Sequence, residues 1–279
     1  MIDLHVHTTA SDGTLTPGEL VALAREKGLR AVAITDHDTV DGVGEALEAG
    51  SRLGIEVIPG VEISVDHKGG EMHILGYYFN PQSPYLLEQL NLLQEYRNQR
   101  NPKMVDRLNQ LGLKVTLEEL EGEAGGKVIG RPHLASLMVK KGYVRTKQEA
   151  FDRYLATGKP AYFKKEKLTP AEGIELVTKA GGLAVLAHPK YLKEAAQPQQ
   201  LAELLEELKG FGLKGIEAYY SAHKPKETAC YLELAGKLGL VVTGGSDFHG
   251  ANKPEINLGT GDGNLLIPDE LLRGLKRNE

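Results

Sequence analysis

A single cysteine, Cys230, excludes any disulfide within the chain and any cysteine-based zinc finger, and it suits a reducing compartment. Tryptophan is absent and aromatics make up only 6% of the residues, so the extended stacking surface of a single-strand-binding module is not provided for. No apolar run approaches the roughly 20 residues that cross a bilayer. Residues 1–10 carry two histidines and an aspartate where a secretory leader would have a basic stretch and then an apolar one, so no signal peptide is expected. These absences predict a cytoplasmic protein with no membrane partner.

Histidine is what the chain has instead. Seven of its nine histidines lie just past short apolar runs, most of them beside an acid or a proline. The runs are Asp3-Leu-His5-Val-His7 with Asp12 following, Thr35-Asp-His37-Asp38, Val61-Glu62, His73-Ile-Leu-Gly, Arg131-Pro-His133, Ala187-His188-Pro189 and Ser246-Asp247-Phe-His249. Imidazole and carboxylate are the ligands that borderline divalent metals take, and clusters of them rarely persist in an interior without an ion. The pattern reads as a multinuclear metal enzyme.

A chain of 279 residues with 41% hydrophobic content can hold one large α/β barrel with a real core. Brief runs rich in Val, Ile and Tyr at 1–7, 31–35, 55–64, 71–79, 183–187, 214–221 and 240–246 read as strands. Most are separated by helical patterns with legible starts. Thr16-Pro17-Gly18-Glu19 and Thr169-Pro170-Ala171-Glu172 each offer a cap, a first-turn proline and an acid at the third helical position. Gly28, Gly50 and Gly210 are expected to close helices as left-handed caps. Such alternation implies parallel β-structure.

The alternation breaks between about 82 and 167, where the pattern is helical, with caps at Thr116 (Glu119 three on) and Thr146 (Glu149 three on). The charge breaks there too. Residues 100–167 hold 15 Lys/Arg against 8 Asp/Glu, a surplus of +7, while the remainder of the chain carries −12 within a net charge of −5. We expect residues 1–81 and 168–279 to form a metal-binding barrel and residues 82–167 a basic helical insert capping the substrate. A basic segment in an acidic protein suggests an anionic ligand, and a solvated lysine-rich face accounts for the charge equally well.

In an α/β barrel the carboxyl ends of the strands converge on one mouth, and every acid–histidine run except Arg131–His133 is expected at such an end. The motifs together resemble the polymerase-and-histidinol-phosphatase (PHP) superfamily of metal-dependent phosphoesterases. Those carrying the likeness are Asp3-Leu-His5-Val-His7-Thr, Thr35-Asp-His37-Asp38, Gly60-Val-Glu62-Ile-Ser, His73-Ile-Leu-Gly-Tyr, Ala187-His188-Pro189 and Gly245-Ser-Asp247-Phe-His249-Gly. The resemblance implies a distorted (β/α)7 barrel with two or three divalent ions, Mn, Fe or Zn. Gly130-Arg131-Pro132-His133 in a helical insert looks like the subgroup that hydrolyses 3′,5′-nucleotide bisphosphates, oligonucleotides and RNA 5′ ends.

Carried over, the resemblance gives one metal His5, His7, Glu62 and Asp247. A second would take Glu62, His73 and His188, with Glu62 bridging, and a third Asp12, His37 and His249. Glu62, Asp247 and His188 would stand at the catalytic centre. Three such ions outweigh the carboxylates of Asp12, Glu62 and Asp247, leaving a cationic site that suits a phosphate dianion and lowers the pKa of a bound water.

Pro132 puts His133 in the first turn of a helix, where free N–H groups favour anions. Arg131 can grip a phosphate with two parallel hydrogen bonds. A second phosphate site built on Arg131 and His133, with Lys159 as a further contact, is therefore favoured over His133 as another metal ligand. Asp38 reads either as a support for a ligand or as a turn residue. Lys164, Lys165 and Lys167 are expected in solvent, His67 and His223 at the surface, and Tyr219-Tyr220 in the core, with one ring able to line the mouth.

The expected activity is hydrolysis of nucleotide phosphates, either a small bisphosphate or the 5′ end of a short oligonucleotide or RNA. Histidinol-phosphate phosphatase is the alternative, and the basic insert argues against a substrate with one phosphate. A non-catalytic metal-bound module is less favoured, because no metal-site position of the pattern is missing.

Overall fold

The computed structural model of the chain describes residues 1–124 and 128–276. Seven strands form one sheet in sequence order: β1 (Ile2–Val6), β2 (Ala31–Ile34), β3 (Glu56–Val65), β4 (Met72–Tyr77), β5 (Leu183–Leu186), β6 (Gly215–Tyr220) and β7 (Val241–Gly245). Among the described residues ten α-helices accompany them: α1 (Pro17–Glu26), α2 (Val43–Leu53), α3 (Pro84–Gln110), α4 (Leu117–Ala124), α5 (Arg131–Lys140), α6 (Lys147–Ala150), α7 (Pro170–Lys179), α8 (Pro198–Gly210), α9 (Pro225–Leu238) and α10 (Leu271–Lys276). The sheet nearly closes on itself, because Asp247 N–H donates to the His5 carbonyl at 2.8 Å and His7 N–H to that of Phe248 at 2.9 Å. Gly245 permits this approach, since a Cβ there would stand 2.1 Å from the His5 Cβ.

All seven expected strands are present, and the expectation of a uniformly parallel sheet needs one correction. β4 runs antiparallel to both β3 and β5. The chain allots only residues 66–71 to the β3–β4 connection, and a parallel crossover needs about a dozen or more. His73 therefore sits at the start of its strand, and the reversal of β4 brings that start to the same mouth as the other strand ends.

Side-chain alternation sorts the strands. Along β3, Ile58 joins the cluster that includes Ala33, Leu75, Tyr77 and Val185, while Val61, Ile63 and Val65 pack against helices. Glu62 is left on the inner face. The helix starts follow the sequence: Thr16 Oγ1 accepts from Glu19 N–H, Thr169 from Glu172, Thr116 from Glu119 and Thr146 from Glu149. Two of the three glycine ends do not. Gly28 (φ +73°) closes α1, but Gly50 lies inside α2, where a Cβ would meet Val57 Cγ2 at 2.5 Å, and Gly54 (φ +68°) takes the left-handed position. Gly210 is the last residue of α8, and Gly212 (φ +109°) follows it in the left-handed region. A helical glycine packed against a strand and a capping glycine look alike in sequence.

The helical segment between β4 and β5 shows two separate allegiances. Leu86, Leu90 and Leu93 of α3 pack with Ile174, Val177 and the barrel strands. Beyond Pro102, Met104, Val105 and Leu108 join Leu120, Leu134, Met138, Leu155 and Ala161 in a cluster of their own.

Candidate metal centre

Glu62 is 1% exposed, and five imidazole nitrogens crowd its carboxylate. His73 Nδ1 is 2.7 Å away, His188 Nε2 2.9 Å, His37 Nδ1 3.0 Å, His7 Nε2 3.2 Å and His5 Nε2 3.3 Å. A carboxylate offers about four acceptor sites, too few for five rings, and imidazolium ions crowded into one buried space would repel one another strongly. His5 Nε2, both nitrogens of His7, His37 Nδ1 and Glu62 Oε2 are buried without a hydrogen-bond partner. Converging lone pairs with nothing to donate to them are what a divalent cation satisfies. The donor set fits metal ions.

The ligand atoms fall into four overlapping groups, each within 4.8 Å: His7, Asp12, His37 and His249; His5, His7 and Asp247; His5, Glu62 and His188; His37, Glu62 and His73. All nine residues singled out in the sequence as metal ligands are in this constellation. The groups share His5, His7, His37 and Glu62, so the partition differs from the three sets the resemblance implies.

Electrostatics ties the groups together. Burial disfavours charge on His5, yet Glu217 and Glu62 override it and hold the ring well above the usual histidine value. Burial likewise opposes charge on His7, which Asp247 and Glu62 nevertheless raise to about 9. For His37 burial prevails and pulls the ring down to about 3. Burial also opposes ionisation of Asp12, Glu62 and Asp247, and the facing cations and imidazoles hold all three well below the usual carboxylate range. Metal binding would displace the protons that these carboxylates draw onto His5 and His7.

Residues that the sequence reading missed hold the ligands in place. Glu217 of β6 is fully buried, with Oε1 3.0 Å from His5 Nδ1 and Oε2 accepting the His188 N–H at 2.8 Å. A lone carboxylate inside the apolar run 214–221 was its one signal. Tyr220 donates to Asp247 Oδ2 at 2.9 Å, so this tyrosine lines the site, and Lys253 Nζ reaches the same oxygen at 2.6 Å. His188 (φ +23°) and Asp247 (φ +59°) both occupy left-handed backbone that non-glycine residues rarely adopt.

A second charged cluster lies where the helical segment between β4 and β5 meets the loop after β2. Asp38 is fully buried and accepts from the Ser64 N–H at 2.8 Å, from Lys165 Nζ at 2.7 Å and from the Arg97 guanidinium. Burial opposes its ionisation, but Lys165 and Arg97 hold it well below the usual carboxylate range. Lys165 is thus buried rather than solvated, because Asp38 takes its ammonium inside. Arg100 is 6% exposed and, among the described residues, its guanidinium bonds to Asn101 Oδ1; burial, then Arg97 and Arg131, disfavour its charge. Arg131 stands between the rings of Phe151 (5.8 Å) and Tyr162 (5.6 Å), donates to the Leu155 carbonyl at 3.3 Å and lies 3.6 Å from Glu71. Lys167 reaches the Val65 carbonyl at 3.4 Å. His133 is buried, and its Nδ1 accepts the Gly130 N–H at 3.0 Å.

The remaining expectations divide. Lys159 is exposed, and Lys164 is exposed and paired with Asp66. His67 bonds to Glu194 at 3.1 Å. His223 is partly buried, with Nδ1 2.9 Å from the Ala218 carbonyl and its ring against Tyr220 and Tyr231, so these contacts cover part of a residue that still reaches the surface. Among the described residues no helix is long and apolar enough to cross a membrane.

A profile of the PHP domain matches residues 3–227. The chain is 35% identical to a 5′-3′ exoribonuclease of Haemophilus influenzae over 88% of its own length and 89% of that protein's. It is 32% identical to a 3′,5′-nucleoside bisphosphate phosphatase of Chromobacterium violaceum, over 89% and 87% of the two chains. Among solved structures it is similar to a Bifidobacterium adolescentis protein described as a metal-dependent phosphoesterase, at a TM-score of 0.88 and 32% identity over 99% of this chain and 96% of that one.

Proposed function

The chain belongs to the PHP domain family, and from that premise we propose that it is a metal-dependent phosphoesterase that hydrolyses phosphate esters of nucleotides. The observation that carries this reading is the pairing of two sites: a buried carboxylate ringed by five imidazoles, and a buried cluster of cations beside it. The first suits the scissile phosphate and the second another phosphate on the same substrate.

We assign two or three divalent ions to His5, His7, Asp12, His37, Glu62, His73, His188, Asp247 and His249, with Glu62 shared. The mixed nitrogen and oxygen donors suit Mn, Fe or Zn. Such ions would polarise the phosphoryl oxygens and lower the pKa of an attacking water. The chain's own part is positional. Glu217 orients the His5 ring and pins the His188 backbone, while Tyr220 and Lys253 hold Asp247 Oδ2, which leaves Oδ1 facing His5 and His7 at 3.6 and 3.2 Å.

Arg97, Arg100, Arg131, Lys165 and Lys167 face two carboxylates, Asp38 and Glu71, so the cluster carries a positive surplus that a phosphate would neutralise. His133 belongs with them. A backbone N–H can only donate, so His133 Nδ1 must accept, and in the neutral ring the proton then sits on Nε2. Burial keeps this ring neutral by lowering its pKa. An Nε2–H donates to a phosphate oxygen and has no lone pair for a metal.

Two substrates share the chemistry. A nucleoside 3′,5′-bisphosphate and the first nucleotide of a 5′-phosphorylated RNA both present a 5′-phosphate and a 3′-phosphoryl group. Hydrolysis adds water across the same P–O3′ bond in each, the oxygen going to phosphorus and a proton to the departing 3′ oxygen. The test is one panel under fixed metal conditions: a nucleoside 3′,5′-bisphosphate, a 5′-phosphorylated oligoribonucleotide, its 5′-hydroxyl counterpart and histidinol phosphate. The two substrates bearing a 5′-phosphate should be preferred. Faster turnover of histidinol phosphate, or full activity in excess chelator, would refute the reading.

A further inference from the structure

We propose that Tyr191 is the platform on which the nucleobase of the substrate stacks. The proposal rests on the nucleotide phosphoesterase reading and adds to it a recognition element for the one part of a nucleotide that neither phosphate site can hold.

Tyr191 is 46% exposed. Single exposed apolar side chains are ordinary, and exposure alone singles out nothing. Position does. Of the exposed large hydrophobics described, Met1 precedes β1, Leu111 and Leu117 belong to the insert, Phe211 follows α8 and Leu266 lies in the C-terminal segment. Tyr191 instead follows directly on the metal-centre strand end Ala187-His188, with its ring 5.3 Å from that of His188 at 69° and 6.1 Å from that of Tyr220 at 85°. Its hydroxyl lies 3.4 Å from the Tyr220 hydroxyl, which in turn holds Asp247.

The ring is presented rigidly. The turn Pro189–Tyr191 begins at the strained His188, and Leu192 on its far side is buried. Lys193 N–H donates to the Gly69 carbonyl at 2.7 Å, and a Cβ on Gly70 would stand 2.3 Å from the Tyr191 carbonyl, so the backbone is clamped against the 66–71 loop. An aromatic side chain held by its edges and its backbone, with nearly half its surface open, loses little entropy when a ligand covers it.

The location also suits a nucleotide that reaches both anion sites. Gly70 is followed by Glu71, the carboxylate beside Arg131, so the edge that clamps Tyr191 leads directly to the cationic cluster. A nucleotide with one phosphate at the histidines and another at Arg131 would run along this edge. Lys190, its Nζ tied to the Ala222 carbonyl and 5.9 Å from the ring centre, adds a cation beside the platform. Stacking of this kind accepts any base, since every base has a π face.

The experiment compares wild type, Tyr191→Ala and Tyr191→Phe on a nucleoside 3′,5′-bisphosphate and on its abasic counterpart, which keeps the ribose and both phosphates. Tyr191→Ala should lose about 5- to 150-fold in kcat/KM on the nucleotide, the span of one base–aromatic stack, with most of the loss in KM. It should leave the abasic substrate unchanged, and Tyr191→Phe should behave as wild type on both. Equal losses on both substrates would mean that the ring acts through His188 or Tyr220, and would overturn the platform. A wild-type enzyme that hydrolyses both substrates with equal efficiency would overturn it while leaving the phosphoesterase reading intact. A wild-type enzyme that hydrolyses neither overturns both.

Discussion

Replacing Arg131 by alanine separates the two phosphate sites. The side chain is already ordered: Phe151 and Tyr162 flank it, and the Leu155 carbonyl accepts one of its N–H groups at 3.3 Å. Little ordering cost is left for the substrate to meet, so a phosphate should collect most of a charge-assisted hydrogen bond, about 1.5–3 kcal/mol, or roughly 10- to 150-fold in kcat/KM. The loss should fall on KM for a nucleoside 3′,5′-bisphosphate and spare a nucleoside 3′-monophosphate, which has nothing to place there. The native partner does not confuse the measurement. Glu71 is 3.6 Å away with its side chain 58% exposed, and such a pair contributes at most about 1 kcal/mol to stability. Arg131→Lys should recover only part of the loss, because a point charge replaces a planar fork. Initial rates on the two substrates, with bound metal measured in each variant, decide the matter. Equal losses on both would place Arg131 at the scissile phosphate, and a fall in metal content would make this segment part of the metal shell.

Glu62→Gln should be among the most damaging changes, since the carboxylate lies among five imidazoles; elemental analysis should show loss of metal along with turnover, and unchanged content would refute the shared-ligand role. Asp38→Asn should cost about 3–5 kcal/mol of stability by leaving Arg97 and Lys165 buried without their counter-charge, read as a lowered denaturation midpoint that an unchanged midpoint would contradict. Replacing residues 100–167 by a flexible linker should leave a barrel that unfolds cooperatively and binds metal, because the two hydrophobic clusters divide near Pro102 and the linker costs only loop entropy; a chain that cannot fold would make the insert part of the barrel core.

Much of the fold was legible because burial writes itself into short apolar runs, and all seven strands are such runs. The direction of β4 was legible too, in the six-residue gap before it, but strand–helix alternation elsewhere outweighed that cue. Gly50 and Gly210 show a different limit. Glycine permits both a left-handed cap and a close approach of backbones, and only the neighbouring strand shows which applies. The histidines stood out as a set because they lie at the ends of short apolar runs, most of them close to an acid or a proline. The second charged cluster did not. Arg97, Arg100 and Lys165 sit in helical or irregular sequence where charge ordinarily means solvent, and what buries them is Asp38 or one another, more than fifty residues away for Arg97 and Lys165. A long-range partner leaves no local signature.

The arrangement divides labour along the chain. The barrel supplies the carboxylates and imidazoles, and its closure fixes them: the same Asp247 N–H that joins β7 to β1 through the His5 carbonyl positions the Asp247 carboxylate opposite His5 and His7. The strained backbone at His188 and Asp247 persists because the hydrogen bonds that their N–H groups donate to Glu217 and to the His5 carbonyl of β1 over-determine it. The segment between β4 and β5 supplies the cations, Arg97, Arg100, Arg131, Lys165 and Lys167, which face the carboxylates of Asp38 and Glu71. On the proposed reading the chemistry is built into the sheet, where geometry is most rigid, and the second phosphate would be read by side chains from a separate cluster. Arg131, on a helix packed against that second cluster, can be altered without disturbing the strand ends. On the proposed reading one metal centre would serve a bisphosphate or an RNA 5′ end, because both would offer the cationic cluster the same 5′-phosphate.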